Sequence, residues 1–530
     1  MFNKTLLCLD VWNEILNYFE VSLEDDGEKV VKEKRSVMLT IALLSPGLTE
    51  LALDALRKNL TTLVQIVNKA NSGLDYHVSK GCWRVSYDLQ ITDKLLDDLI
   101  RNLKRVRNLR VQVSKKELEL WQMLHALLAP RSMTHLLPCL QTLSLVSADD
   151  PQPYHSLAVI SYIFAPSLTS ISVRGSWGTS WGTVQHFMNL HHLPNLSRLL
   201  YFDENLAVFP RGIECFTGLR HLTLHDEHEF YAFSVLTSFV SFCGLQELVI
   251  SISYGDEDRA TDMSSTRLTL PALQHLQLKS ETRETSDIFF RQVKLPSLVS
   301  LSLGIQHALE QELPLGSMVA SYPNLLYLVL HCIETEGHSY RMSANDLMSI
   351  VNLRGMKTLK LLNIPHELQE RDIFSLVKSL PVLHSLAISG SETTFSATLL
   401  VSISEFSNLR CLELPLDFSL LVDHRSSEKT SESPSELRKI ISPVSKGIPD
   451  KPSAKVVLTR NILHLFPKLE EFGGTGESMM ELQDVFEVVN NMFHKPSVSH
   501  LFKLSILLQT PYELSKLVNA AFELDLVPAR

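Results

Sequence analysis

Apolar residues recur along most of the chain in one short pattern, in which a step of three residues is followed by a step of two. In LPALQHLQL, residues 270–278, these are Leu273, Leu276 and Leu278. A helical face requires apolar residues at i, i+3, i+4 and i+7, and a two-sided strand requires strict alternation. The pattern fits neither template over its whole length. It fits a short strand that is entered from a turn.

The pattern occurs eleven times, and the ten intervals between Leu140 and Leu409 average about 27 residues. A period of roughly 20 to 29 residues is typical of leucine-rich repeats. Several copies carry a proline just before the first apolar residue, and because proline lacks an amide proton it marks the start of a strand. The copies begin at Leu140, Leu168, Leu196, Leu219, Leu245, Leu273, Leu298, Leu325, Met356, Leu383 and Leu409.

The segments between copies favour helices or loops. In DIFSLVKSL, residues 372–380, Asp372 is placed to cap a helix whose apolar residues share one face. A unit of one strand and one crossover cannot bury its apolar side alone, so successive units must stack. The sequence therefore predicts an α/β solenoid of irregular leucine-rich repeats, with a strand plus a helix or loop in each unit.

Composition narrows the functional classes. The chain has 530 residues, 45% of them hydrophobic and 20% charged, which describes a soluble folded protein. A net charge of −10 argues against a nucleic-acid partner. The seven cysteines stand singly, which favours reduced thiols in the cytoplasm or nucleus. No apolar run approaches ~18 residues, so no membrane span is expected.

No catalytic or cofactor-binding motif is found. The sequence lacks a serine elbow, HExxH, a paired CxxC and a RING-type pattern, so we expect no enzyme, no catalytic residue and no cofactor. The cluster of His221, His225 and His228 lacks a cysteine or carboxylate that would complete a metal-ligand set, so no metal is expected.

The first sixty residues differ from the rest. LLCLDVWNEILNYFE, residues 6–20, predicts a short amphipathic helix with a broad apolar face. A charged stretch from Glu24 to Arg35 follows. VMLTIALLSPGLTELALDALRKNL, residues 37–60, then predicts two helices that are separated at Ser45-Pro46-Gly47.

These residues resemble an F-box, over roughly residues 5 to 60. Cys8 stands where a proline is usual in that family, and Arg57 stands where one subgroup has a tryptophan. The resemblance implies a small three-helix module that docks on a Skp-type adaptor, which hangs from a cullin. The alternative is that the same residues pack against the first repeats. The residues that match the docking pattern are Leu7, Leu9, Val11, Ile15, Leu16, Phe19, Leu43 and Leu44.

The repeats predict a second surface. If the later apolar residues of each copy face the core, the residues flanking them face the concave side of the sheet. Strands about 4.8 Å apart would align these residues in ladders. An aromatic ring and several charges are typical of a peptide-binding surface, and a solvated face without a binding role is the alternative. The candidates are Arg198, His221, Glu247 and His275 in one ladder, and Phe202, His225 and Lys279 in another.

The predicted organisation is an F-box-like module at 1–62, a cap with a first irregular repeat at 63–130, a repeat domain at 131–480 and a closing cap at 481–530. Serine, proline and charge without an apolar period predict a disordered or looped insertion at 423–455. The favoured function is the substrate-recognition adaptor of an SCF-type cullin-RING ubiquitin ligase that holds an unidentified target protein. The alternative is an interaction scaffold with a degenerate F-box and no ligase role.

Overall fold

The computed structural model divides into two compact units, Met1–Leu273 and Gln274–Arg530. The structure describes residue 16 and residues 28–44, 46–69, 74–77, 82–85, 92–131, 133–147, 158–175, 193–203, 213–226, 230–254, 268–307, 315–334, 340–390, 394–421 and 435–494.

The first unit contains a parallel sheet with one strand per repeat, and each strand pairs with the next one along the chain. The register aligns the repeats, because Leu143 lies opposite Ile171 and Ile171 lies opposite Leu199. The short strand Tyr231–Ala232 pairs with the last strand. The strands in spatial order are Asn59–Leu60, Asn108–Val113, Thr142–Ser147, Ser170–Arg174, Arg198–Asp203, His221–Asp226 and Glu247–Ser253.

The second unit repeats this arrangement. Leu301 lies opposite both Leu276 and Leu328, so equivalent residues of successive repeats are again aligned across the strands. A second small parallel sheet joins Phe395–Ser396, Leu416–Asp417 and Ser445–Lys446. The main strands in spatial order are His275–Ser280, Ser300–Ile305, Tyr327–Cys332, Thr358–Leu362, Ser385–Ile388, Cys411–Glu413, Lys439–Ser442 and Glu471–Gly474.

The apolar residues of the repeat pattern form the core. Every one of them, in all eleven copies, is at most 2% exposed. Burial of a leucine side chain contributes roughly 1.5–3 kcal/mol, so the pattern is the main source of stability in each repeat. The prediction of an α/β leucine-rich-repeat fold is confirmed: parallel strands stack in series in each unit and alternate with helical crossovers.

The crossovers vary in length, as expected for irregular repeats. Helix Glu370–Ser379 buries Ile373, Leu376 and Val377 on one face, which confirms the helical spacing of that segment. Asp372 caps it from inside the first turn, where its carboxylate accepts the Gln369 N–H at 2.8 Å. The helical crossovers and caps are Val64–Lys69, Asp93–Arg105, Lys115–Leu128, Arg283–Gln292, Leu315–Ser321, Ala344–Ser349, Glu370–Ser379, Thr398–Ile403, Pro452–Leu465 and Glu477–His494, with 3-10 turns at Ala129–Arg131, Ala158–Ile163, Ile213–Cys215, Phe233–Ser241 and Ile350–Asn352.

Two helices, Glu28–Leu44 and Pro46–Lys58, precede the first repeat. The first ends at Leu44 and the second begins at Pro46, on either side of the position where the sequence predicts a break. The charged residues from Glu28 to Arg35 belong to the first helix. A small antiparallel pair, Leu74–His77 and Cys82–Val85, follows. The two helices enclose their own core of Leu16, Met38, Ile41, Ala42, Leu48, Ala52 and Leu56.

The segment 423–455, for which the sequence predicts a disordered or looped insertion, contains regular structure in its second half. Strand Lys439–Ser442 pairs with Cys411–Glu413, and helix Pro452–Leu465 begins within the segment. Residues 422–434 lie outside the described residues. Leu437 and Ile440 keep the step of three, while Ser442 occupies the third core position, so the apolar pattern is interrupted although the repeat is present.

Candidate protein-interaction surfaces

The first unit brings together three of the predicted concave residues. The strand register places Arg198 opposite His221, and His221 opposite Glu247. His221 Nδ1 lies 3.0 Å from Glu247 Oε2, and both side chains are half-exposed. A surface pair of this kind contributes about 0–1 kcal/mol to stability, so both groups remain available to a partner. We call these three residues the first ladder.

A second ladder lies beside the first. Phe202 is opposite Arg174 on one side, and on the other its backbone pairs with that of His225, whose side chain lies outside the described residues. The Arg174 guanidinium stands over the Phe202 ring, 5.0 Å from its centroid. A cation over an aromatic face is attracted by the ring quadrupole. Arg174 is a residue that the sequence reasoning did not select, although it directly follows the third apolar residue of its repeat, as Phe202 does.

The remaining candidates, His275 and Lys279, belong to the second unit. His275 is exposed and lies opposite Ser300, and Lys279 lies opposite Gly304. Tyr327, which lies opposite Ser300 on the following strand, is exposed as well. The second unit therefore presents an exposed aromatic ring that was also not selected from the sequence.

The amino-terminal helices place the docking candidates in different environments. Leu43 is 87% exposed, whereas Leu16 is 3% exposed and belongs to the core of the helices. Leu39, one helical turn before Leu43, is also exposed. The side chain of Leu44 and all of Leu7, Leu9, Val11, Ile15 and Phe19 lie outside the described residues.

Polar contacts fasten the second of these helices, Pro46–Lys58, to the first repeats. Arg105, on the helix Asp93–Arg105, places its Nε 2.7 Å from Asp54 Oδ1 and also pairs with Glu50. Arg57 donates a hydrogen bond to Asn102 of the same helix. Burial, followed by the charge of Arg105, lowers the pKa of Arg57. The contacts join residues about fifty positions apart in the sequence, so they orient the helices on the repeats.

A buried carboxylate, that of Glu117, lies in the same part of the first unit. Glu117 belongs to the helix Lys115–Leu128 and accepts a hydrogen bond from Trp121 Nε1 at 3.0 Å and another from the Thr62 hydroxyl. Burial raises the pKa of Glu117 to about 7, although its hydrogen bonds act in the opposite direction. None of its partners belongs to a candidate interaction surface, so we assign Glu117 a role in packing.

Binding is the chemistry that these surfaces support. In the part of the chain that the structure describes, no three His, Cys, Asp or Glu side chains are grouped in a way that would hold a metal ion. Within the same residues, no helix combines the length and apolar character needed to cross a membrane.

No protein-family model matches the chain, and no curated protein sequence matches it. Among solved structures, a leucine-rich-repeat protein of Leptospira interrogans is 17% identical, with 72% of this chain and 100% of that chain covered and a TM-score of 0.34. A chain of the yeast Rad7 and Elc1 complex is 12% identical, with 66% of this chain and 81% of that chain covered and a TM-score of 0.30. The leucine-rich-repeat protein LegL7 of Legionella pneumophila is 11% identical, with 68% of this chain and 100% of that chain covered and a TM-score of 0.32. The assignment of the fold rests on the strand register and buried core described above.

Proposed function

We propose that this chain is the substrate-recognition adaptor of an SCF-type ubiquitin ligase. In this role the amino-terminal helices bind a Skp-type adaptor, which connects them to a cullin, and the repeats bind the target protein. The observation that carries the proposal is Leu43, a leucine that is 87% exposed on the helix Glu28–Leu44, from which Arg35 donates a hydrogen bond to the Asn59 carbonyl of the first strand at 3.2 Å. Leu39 lies one turn away on the same face, so the helix offers an apolar stripe of the kind that partner proteins cover.

The repeats supply the second half of the proposal. The first ladder and the Arg174–Phe202 pair combine charges, an imidazole and an aromatic ring on neighbouring strands. Arginine and aromatic residues are enriched among the residues that contribute most to binding energy at protein interfaces. These side chains support a role for the concave side in holding the target.

A second candidate function is an interaction scaffold that does not dock on a Skp-type adaptor. Two observations favour it. Leu16, which matches the docking pattern, is part of the core of the helices, and Arg57 donates to Asn102 from the position where a tryptophan is usual. Both residues therefore contribute to the packing of the chain itself.

Replacement of Leu43 by aspartate separates the two functions. Burial of a leucine at an interface contributes roughly 1.5–3 kcal/mol, so L43D is expected to weaken binding of a purified Skp-type adaptor by about tenfold or more. The measurement is a pull-down of the full-length chain, quantified by titration. Because Leu43 is exposed, the variant is expected to keep the helical content seen by circular dichroism.

Val240 offers a matched control, since it is also an exposed apolar residue, 64% exposed, on a crossover of the first unit. V240D is expected to bind the adaptor as the unmodified chain does. If the unmodified chain does not bind the adaptor, or if L43D binds it equally well, the ligase role is refuted and the scaffold function is favoured.

A further inference from the structure

Four consecutive repeats of the second unit carry a basic residue at the same position, directly before the strand. We call Lys357, His384, Arg410 and Arg438 the basic row. Backbone hydrogen bonds of 2.8 Å join its neighbours: the His384 N–H donates to the Lys357 carbonyl, and the Arg410 N–H donates to the His384 carbonyl. The Arg438 N–H donates to the Arg410 carbonyl at the same distance. The four residues therefore follow one another at the strand spacing of about 4.8 Å.

The basic row is accessible. Arg410 and Arg438 are exposed, and Lys357 and His384 are half-buried. Thr358 and Ser385 follow the first two members of the row, so hydroxyl groups stand beside the charges. Lys360, on the strand that Lys357 precedes, adds another cation. In a chain with a net charge of −10, this concentration of positive charge stands out from its surroundings.

Acidic side chains compensate only one end of the row. Arg438 pairs with Glu470 at 3.2 Å, and Lys468 pairs with Glu436. The hydrogen bond from Lys468, followed by the charges of Lys468, Arg438 and Arg410, lowers the pKa of Glu436.

At the other end of the row, within the residues that the structure describes, no ion pair reaches Lys357 or His384. On the strand that Arg410 precedes, Glu413 is a further carboxylate. Lys357 and Arg410 place positive charge on either side of His384 in this row, and positive charge on a rigid sheet attracts an anionic partner.

We propose that the basic row binds an acidic segment of a partner protein, whose carboxylates contact Lys357, His384 and Arg410 while the segment crosses the strands. The proposal deepens the proposed function by giving the chemistry of one partner, and it rests on that function only in that the partner is a protein. A nucleic acid fits less well, because Glu413, Glu436 and Glu470 lie among the cations and oppose a continuous phosphate backbone.

The test measures binding of a fluorescein-labelled hexaglutamate peptide to the full-length chain by fluorescence anisotropy, at about 50 mM salt where surface charges are weakly screened. Charge reversal in R410E is expected to raise the Kd about tenfold, because it removes one attraction and adds one repulsion. K357E, at a second position in the row, is expected to act in the same direction.

Arg220 provides a matched control. It is exposed and occupies the same repeat position in the first unit, where its row neighbours through backbone hydrogen bonds are the neutral Ser197 and Gln246. R220E is therefore expected to leave the Kd unchanged. L43D is also expected to leave it unchanged, so that failure of adaptor docking and failure of peptide binding are separate results.

Three results would overturn the proposal. The first is equal weakening by R220E and R410E. The second is hexaglutamine binding as tightly as hexaglutamate. The third is binding confined to a phosphoserine hexapeptide or to a single-stranded DNA oligonucleotide, which would assign the row to phosphate. Binding of hexaglutamate that weakens with added salt, and that R410E and K357E both reduce, supports it.

Discussion

Replacement of Glu117 by glutamine is expected to remove a pH dependence from the stability of the first unit. The carboxylate is 5% exposed and accepts hydrogen bonds from Trp121, Thr62 and the Leu63 backbone. Burial raises its pKa to about 7, against an ordinary value of 4.5. The hydrogen bonds and the nearby charge of Lys116 favour the ionised form, and burial outweighs them.

The sign follows from proton binding. Between about pH 4.5 and about pH 7 the folded chain keeps a proton on Glu117 that the unfolded chain has released, so the free energy of unfolding falls as the pH rises through this window. The difference between the two pKa values corresponds to about 3 kcal/mol, and the loss is nearly complete above about pH 7. Glutamine has nearly the same volume and does not titrate, so E117Q is expected to show a flat profile over the same range.

Urea unfolding followed by tryptophan fluorescence measures this difference at steps from about pH 5 to about pH 8. Trp121 is fully buried and donates to Glu117, so its fluorescence reports on the same region. E119Q is the matched control, because Glu119 lies on the same helix with a partly exposed side chain 3.9 Å from Lys115. The reasoning is refuted if E117Q retains the slope of the unmodified chain, or if the stability of that chain rises between pH 5 and pH 7.

Two further predictions concern other parts of the chain. His366 is buried with its ring stacked on Phe395, and burial lowers its pKa from 6.5 to about 4. The free energy of unfolding is therefore expected to fall by about 3 kcal/mol as the pH drops from 6.5 towards 4, because the unfolded chain binds a proton that the folded chain does not. H366F is expected to remove this loss in urea unfolding at the two pH values, and an unchanged acid sensitivity would contradict it. E247K and F202A are expected to weaken capture of target proteins in proximity labelling without altering circular dichroism, because they change the ladders and leave the core intact. Undiminished capture by both variants would exclude this surface.

The strands were predictable because the apolar residues that form the sequence pattern are also the residues that the strand register aligns. In all eleven copies the strand begins two residues after the first apolar residue, so the step of three spans the turn. The step of two lies within the strand in ten copies, and in the copy at Leu409 the third apolar residue directly follows the strand. The same rule holds at Val106, where the strand Asn108–Val113 adds a further repeat. A pattern that places each buried side chain also places its neighbours on the opposite side of the sheet.

The repeat at Leu437 was missed because its third core position is polar. Ser442 is fully buried, its hydroxyl donates to the Val444 carbonyl at 2.9 Å, and it accepts the Leu416 N–H at 3.1 Å. A buried hydroxyl with both hydrogen bonds formed costs little, so the strand forms without an apolar residue at that position. Hydropathy along the sequence does not record such a pair of contacts, since one partner is a backbone carbonyl two residues away and the other is a backbone N–H of the preceding repeat.

The sequence pattern also did not show which apolar residues of the amino-terminal helices are exposed. Leu16 and Leu43 match the same docking pattern, yet one is buried in the core of the helices and the other is exposed. An amphipathic pattern shows that a helix has an apolar face, whereas the neighbouring helices decide which apolar residues are covered. Among the described residues of this module, Leu39 and Leu43 are exposed and are therefore the candidates for the proposed docking surface.

Arg57 shows why a departure from a family pattern does not by itself indicate loss of structure. It donates to Asn102, and on the same helix Arg105 pairs with Glu50 and Asp54. Hydrogen bonds to charged groups contribute about 1.5–3 kcal/mol each where they are partly shielded from water, so this network stabilises the junction between the second helix and the first repeats. The network joins the helix Pro46–Lys58 to the first repeats, and this helix shares a hydrophobic core with the helix that carries Leu43. The network therefore positions Leu43 through that core, whichever partner covers it.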